Sequence, residues 1–192
     1  MRKLLDAGTQ VFSTKGFHAA RVDDVVKAAR TSHGTFYLYF ANKEDLLRAL
    51  AEDVAEQMTG LADSLGPLTP DAAGLAELRA WLERFTEVYE RSGALIAAWT
   101  EAETEDSEVG RIGADLLGGF AVALARQIAK SSAPLDPNLA SIALVAMIER
   151  FNYYALAGMV RAERDEVLDT LAAVTHAGLF GGKSRRRAVK AG

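Results

Sequence analysis

The 192-residue chain has no cysteine, four prolines and three histidines, and aromatic residues make up only 8% of it. Without cysteine there is no disulfide framework, thiolate nucleophile or Cys-ligated zinc. A reducing compartment suits such a chain, and a cytoplasmic location is the expectation. No stretch reaches 18 uninterrupted apolar residues, and Met1-Arg2-Lys3-Leu4-Leu5-Asp6 meets charge too early for a signal peptide. A soluble protein without a membrane partner is therefore expected. Alternating apolar and polar positions of useful length are also missing, which argues against strands. So are the short motifs of enzymes: there is no HExxH, GxSxG or phosphate-cradling glycine loop, and His18, His33 and His176 lie far apart. Neither catalysis nor a cofactor is expected. Nor is a metal, because the acidic run EAETEDSE at 101–108 reads as a solvated face with nothing to fix ligand geometry.

What is present is enough apolar material, 49% of the chain, to bury a sizeable core in one or two domains. The formal charge of −4 is unevenly spread: residues 1–48 carry +3, residues 49–182 carry −12 and the tail 183–192 carries +5. A basic head and tail on an acidic body suit a molecule that meets a polyanion at one end. Apolar residues recur at helical spacing almost everywhere. Leu4, Leu5, Gly8, Val11 and Phe12 line a first helix that Gly16 closes. Short helices fit Val22–Ala29 and Ser32–Leu38, and Asn42 caps a helix running to about Leu65. Further helices fit 72–91, 94–104, 108–130, 138–161 and 164–179, punctuated by Gly66-Pro67, Ser92-Gly93, Pro134 and Pro137. Gly118-Gly119 inside one of them signals close packing or a bend. The fold class is all-α with about nine helices and a change of character near residue 45.

Chemistry concentrates in Arg21–Phe40, RVDDVVKAARTSHGTFYLYF. Two short helices joined by a few residues form a helix-turn-helix pattern, whose second helix enters the major groove of DNA. Val22, Val25, Val26, Ala29, Phe36 and Phe40 point inward. Ser32, His33, Thr35, Tyr37 and Tyr39 remain outward, with Gly34 keeping the backbone close to whatever lies opposite. Neutral donors and phenols of this kind suit phosphate oxygens and base edges. Lys43, on the first turn of the next helix, stands where dipole and ammonium together favour a phosphate.

Residues 2–50 resemble the N-terminal domain of TetR-type transcriptional regulators. The run SHGTFYLYFANKEDLL is very close to that family's recognition helix and following helix, and the lead-in GFHAARVDDVVKAA matches too. The resemblance implies a three-helix DNA-binding domain at 1–46 with its motif at 21–40. An effector-binding and dimerisation domain would occupy 47–182, and a basic, disordered tail 183–192. It implies that Tyr37, Tyr39 and Lys43 grip phosphates and that His33, Gly34, Thr35 and Leu38 meet the groove floor. Arg21, Val22 and Asp23 would brace the backbone.

Three features depart from the family pattern. Arg30-Thr31 replaces the usual Gly-Val in the turn, so the turn is either strained by about 1 kcal/mol or differently shaped, and Arg30 is placed to meet a phosphate. Ala20-Arg21 stands where a Thr or Ser cap usually opens the first short helix, a loss of roughly 1 kcal/mol. The chain also begins almost on its first helix. Arg2 and Lys3 there oppose the helix dipole, which suggests either a phosphate contact or a shortened N-terminus.

In the acidic body, Trp81, Phe85 and Tyr89 share one helix face, Trp99 and Phe120 lie on the next helices, and Phe151 and Tyr154 follow. This aromatic set is the candidate ligand pocket, although a stripe at such spacing is more often plain core. Glu149, Arg150 and Asn152 interrupt the apolar run 139–160 and must be paired. They could form a structural ion pair, cross a dimer interface or orient a ligand. A run so apolar needs cover on both sides, which predicts a homodimer built on the last two helices. Ala140, Ala143, Ala146 and Gly158 would allow the close approach. The expected function is a sequence-specific regulator that binds double-stranded operator DNA and acts as a repressor released by an unknown small-molecule effector. A helical DNA-binding protein without small-molecule input, controlled by a protein partner or architectural, is the alternative.

Overall fold

A computed structural model describes residues 1–92 and 108–181. Among them are eight α-helices and no strand: α1 (Arg2–Lys15), α2 (Val22–Ala28), α3 (His33–Tyr39), α4 (Lys43–Asp63), α5 (Ala72–Arg91), α6 (Glu108–Ile128), α7 (Pro137–Leu156) and α8 (Arg164–Phe180). The helix expected near 94–104, Trp99, the acidic run at 101–107 and the tail lie outside the described residues. The chain divides into two compact units, Met1–Met58 with Glu87–Gly119, and Thr59–Thr86 with Phe120–Gly192.

In the first unit α1 buries Leu4, Ala7, Gly8, Val11 and Phe12. Gly8 lets α4 come close, since a Cβ there would stand 2.8 Å from Leu46 Cδ2. Gly16 closes α1 at φ 75°, its N–H donating to the Phe12 carbonyl. Phe17, Val25, Val26, Phe36, Phe40, Leu46 and Leu47 complete a core that seats α2 and α3 on α1 and α4. Local chemistry sets the helix starts. Ser32 Oγ accepts from the Thr35 N–H at the head of α3, and Asn42 Oδ1 accepts from the Asp45 N–H at the head of α4.

The opening of α2 lacks a side-chain acceptor at Arg21, as its sequence implies. Its guanidinium has no lone pair to offer the helix. The missing half is supplied from the other side: Asp24 Oδ2 accepts from the Arg21 N–H at 3.1 Å, and Lys15 holds the same carboxylate at 2.5 Å. These contacts hold the Asp24 carboxyl below its usual range, the Lys15 hydrogen bond contributing most. At the α2–α3 turn Arg30 takes φ 52°. Of the two shapes open to that turn, the chain adopts the strained left-handed one with a non-glycine residue.

The second unit is built on aromatic stacking. Trp81 lies parallel to Phe120 at 6.1 Å, Phe85 lies 5.6 Å from Phe120, and all three side chains are buried. The Trp81 indole N–H donates to the Leu61 carbonyl at 2.8 Å. Asn152 is paired in the core at both ends of its amide: Thr86 Oγ1 donates to Asn152 Oδ1 at 2.8 Å, and Asn152 Nδ2 donates to the Ile148 carbonyl at 2.7 Å. Glu149 and Arg150 form an ion pair at 3.7 Å.

Helix α7 starts on Asp136, whose carboxylate accepts from the N–H groups of Asn138 and Leu139, just past Pro137. It ends at Leu156, five residues before the sequence-based boundary, because Gly158 turns left-handed at φ 68° and the Met159 N–H closes on the Tyr154 carbonyl. Gly158 is thus a helix stop, not a close-approach position, and Ala140 is buried. At the glycine pair in α6 close packing is not the reason, since nothing among the described residues, apart from its own helix's backbone and the adjoining residues, comes within 4 Å of a Cβ built on Gly118 or Gly119. By length and composition α7 would pass for a membrane-spanning helix, with a mean hydropathy of 1.2 over 18 residues. Only 28% of that stretch is buried.

Candidate nucleic-acid interface

Helix α3 is seven residues long and buries one side chain, Phe36, which packs edge-on against Tyr37 and tilted against Phe40. Everything else on it faces outward. Tyr37 is 57% and Leu38 76% exposed, and Tyr39, His33, Gly34 and Thr35 are exposed as well. An exposed leucine flanked by two exposed phenols has no folding purpose of its own. Ser32 is occupied at the helix cap, and its hydroxyl shares a hydrogen bond with Thr35 Oγ1 at 3.1 Å. That contact fixes the Thr35 rotamer and leaves its methyl free.

The bracing residues divide. Arg21 and Asp23 are exposed at the start of α2, while Val22 is half-buried. Asp23 reaches across to α3, where its Oδ1 meets His33 Nε2 in a short hydrogen bond. Lys43 is engaged differently from a free phosphate ligand. Its ammonium donates to the carbonyls of Phe17, His18 and Ala20 at 2.9, 3.1 and 3.2 Å and lies 4.6 Å above the Phe17 ring. All three protons are used inside the protein.

Beside α3 runs an open groove of about 420 Å³ whose lining includes Lys3, Arg30, Thr31, Thr35 and Tyr39. Thr31 was not singled out from sequence; the replaced Gly-Val turn was the available signal. Arg2 has two partners, Asp6 at 3.3 Å and Asp53 at 3.9 Å. The surface so assembled offers hydroxyls, an imidazole, a guanidinium and an apolar tip on one short helix and its turn, a mixture suited to base edges and phosphates.

Of the aromatic candidates for a ligand pocket, Trp81, Phe85 and Phe120 stack on one another. Tyr89 is buried in the first unit, Phe151 is half-buried and Tyr154 is exposed. A cavity of about 10 Å³ lies against Trp81, with Leu82, Leu124, Ile148 and Thr175 among its walls. That is hardly room for one water.

Residues 4–50 match the family model of bacterial regulatory proteins, tetR family. The HTH-type transcriptional regulator YvdT of Bacillus subtilis is 48% identical over 52 residues, 27% of each chain. The chain covers less than half the length of each of the first curated relatives it matches. Solved structures extend the likeness in fold to nearly the whole chain. The regulatory protein TetR from Rhodobacter sphaeroides superposes with a TM-score of 0.70 at 24% identity, covering 91% of this chain and 96% of that one. FadR from Bacillus subtilis, solved with stearoyl-CoA, does so with a TM-score of 0.70 at 20% identity, covering 95% and 98%. The helix-turn-helix segment at residues 4–50 is thus similar in sequence to bacterial regulatory proteins of the tetR family, and the all-helical fold is similar to that of the solved regulators along nearly the whole chain.

Proposed function

We propose that the protein is a dimeric transcriptional repressor that binds operator DNA by placing α3 in the major groove and releases it on binding a small molecule. The observation that carries this reading is the outward face of α3, where Thr35, Tyr37, Leu38 and Tyr39 stand exposed on a helix anchored by Phe36 alone. Phenol hydroxyls grip phosphates on either side, and Leu38 and the Thr35 methyl meet thymine methyl groups. Changing Tyr37 and Tyr39 together to Ala should weaken binding to every duplex, whereas Thr35→Ala should alter the preferred sequence. Full affinity in the double variant, with its fold intact, would remove α3 from the interface.

Dimerisation is supported by the apolar side of α7 and α8. Leu139 is 70% and Ile142 59% exposed, Ala143 and Ala146 are exposed on α7 as well, and Val174 is exposed on α8. A second copy covers this face most simply as a four-helix bundle, setting two recognition helices about 34–36 Å apart. Glutamate at Ala143 or Ala146 should convert a sedimenting dimer to monomer and abolish operator binding with it. A monomer of full affinity would refute the arrangement.

For the effector, the second unit is the proposed receptor, with Trp81 and Phe151 as lining. Its packed state leaves little room, so a ligand must part the leucines around Trp81. The ligand's differential affinity for the opened form then supplies the control, typically about 1–3 kcal/mol. The neighbour solved with stearoyl-CoA makes a long-chain acyl thioester the first probe. A saturating effector should raise the melting temperature and release DNA together.

A further inference from the structure

Helix α3 carries no lysine, arginine or carboxylate, so the one side chain on it able to gain a positive charge near neutral pH is His33. Its ring is already committed on one side. Nε2 meets Asp23 Oδ1 across the α2–α3 junction, with the two side chains 56% and 73% exposed. The carboxylate accepts, so Nε2 carries the proton and Nδ1 is the atom left for a ligand.

Among the described residues His33 and Asp23 have only each other as an ion-pair partner, with Arg30 exposed at the α2–α3 turn between them. On α2, Asp24 is taken by Lys15 and the Arg21 N–H. Lys27 stands one turn beyond Asp23 and Arg21 at the helix cap, both exposed. On α4 the Lys43 ammonium is held by three carbonyls. On α3 itself there are only phenols.

In water an exposed pair of this kind is worth little. Against DNA the terms change. A carboxylate brought up to phosphates is repelled and loses its water, and a neutral imidazole does nothing to offset its charge. Protonation at Nδ1 converts the pair into a neutral ion pair and turns Nδ1 into a donor. A neutral Nδ1 would be an acceptor, facing guanine O6 and N7 with like polarity.

We propose that Asp23 is a positioning residue that makes His33 bind DNA as the imidazolium. Binding therefore takes up one proton, and His33 selects an acceptor edge, guanine O6 or N7, at its position in the site. This rests on the reading of α3 as the recognition helix and adds to it a specificity residue with a pH-dependent form.

The test uses the full chain and a duplex that it selects from a randomised library at pH 6. Affinity is followed by fluorescence anisotropy from pH 6 to 8 at constant salt. Wild type should lose affinity as pH rises, approaching tenfold per unit for one proton. Imidazoles and α-amino groups both titrate in this range, so the readout is the difference between variants. His33→Gln should bind with a flattened profile and select no guanine at that position. Asp23→Asn should show a shallower slope, because the charge whose repulsion protonation offsets is gone, while His18→Gln should keep the wild-type profile. Both residues of the pair are exposed, and melting curves for each variant check that the fold is intact. Equal slopes in wild type and His33→Gln, or an unchanged profile in Asp23→Asn, would overturn the proposal. If duplexes bind with no pH dependence, this inference alone fails; if none binds at any pH, the recognition-helix reading fails with it.

Discussion

Replacing Lys43 by methionine keeps the aliphatic stem and removes the ammonium, which separates two roles for this residue. The family resemblance makes it a phosphate ligand, whereas its three carbonyl contacts make it a clamp between the start of α4 and the loop after α1. Of those contacts, the ones to Phe17 and Ala20 are part-buried and the one to His18 is exposed. Hydrogen bonds to a charged group are worth about 1.5–3 kcal/mol each, but three that share one ammonium do not add, and the exposed carbonyl recovers water. The contact over the Phe17 ring adds about 0.5–1 kcal/mol. A net loss of about 3 kcal/mol follows, or a fall in melting temperature of roughly 6–12 °C for a chain of this size. The assay is thermal unfolding followed by circular dichroism, paired with DNA affinity measured against salt. A clamp predicts the fall in melting temperature with the salt slope kept by whatever protein remains folded. A phosphate ligand predicts an unchanged melting temperature and a salt slope shallower by about one. That second result would refute the clamp.

Three further outcomes follow from particular contacts. Arg30→Gly removes the left-handed strain at φ 52° and should raise stability by up to about 1 kcal/mol. Because Arg30 lines the groove beside Thr35 and Tyr39, the same change should make DNA binding less salt-dependent, and an unaltered salt slope would take Arg30 out of the interface. Thr175 Oγ1 is the buried side-chain polar atom without a hydrogen-bond partner among the described residues, so Thr175→Val should stabilise the fold by about 1 kcal/mol; a lower melting temperature would mean that the hydroxyl is satisfied. Asp24, held below its usual range by Lys15 and the Arg21 N–H, stabilises the fold fully above the unfolded carboxylate range. That contribution is lost as pH falls from about 4 through the lower folded value, so Asp24→Asn should show a shallower acid limb than wild type in pH-dependent melting.

The sequence by itself determined the described helices and where most of them start, because those choices are local. Ser32 and Asn42 act within three residues of themselves, Gly16 needs only its own φ, and the 3.6-residue recurrence of Leu4, Val11 and Phe12 decides which face of α1 turns inward. The outward residues of α3 were legible for the same reason, since a seven-residue helix with one anchor leaves the rest exposed. Side-chain aim across the chain was decided by tertiary structure alone. Lys43 stands at a phosphate-favouring helix start, yet the fold brings carbonyls from more than twenty residues earlier within its reach. Asp23 and His33 are ten residues apart and meet because the turn at Arg30 folds α3 back onto α2. The spacing of Trp81 and Phe85 announced an aromatic face but not that Phe120 would stack on it and close it. Hydrogen bonds and ring contacts of this kind depend on ångström-scale distances between segments remote in sequence, and no periodicity encodes those distances.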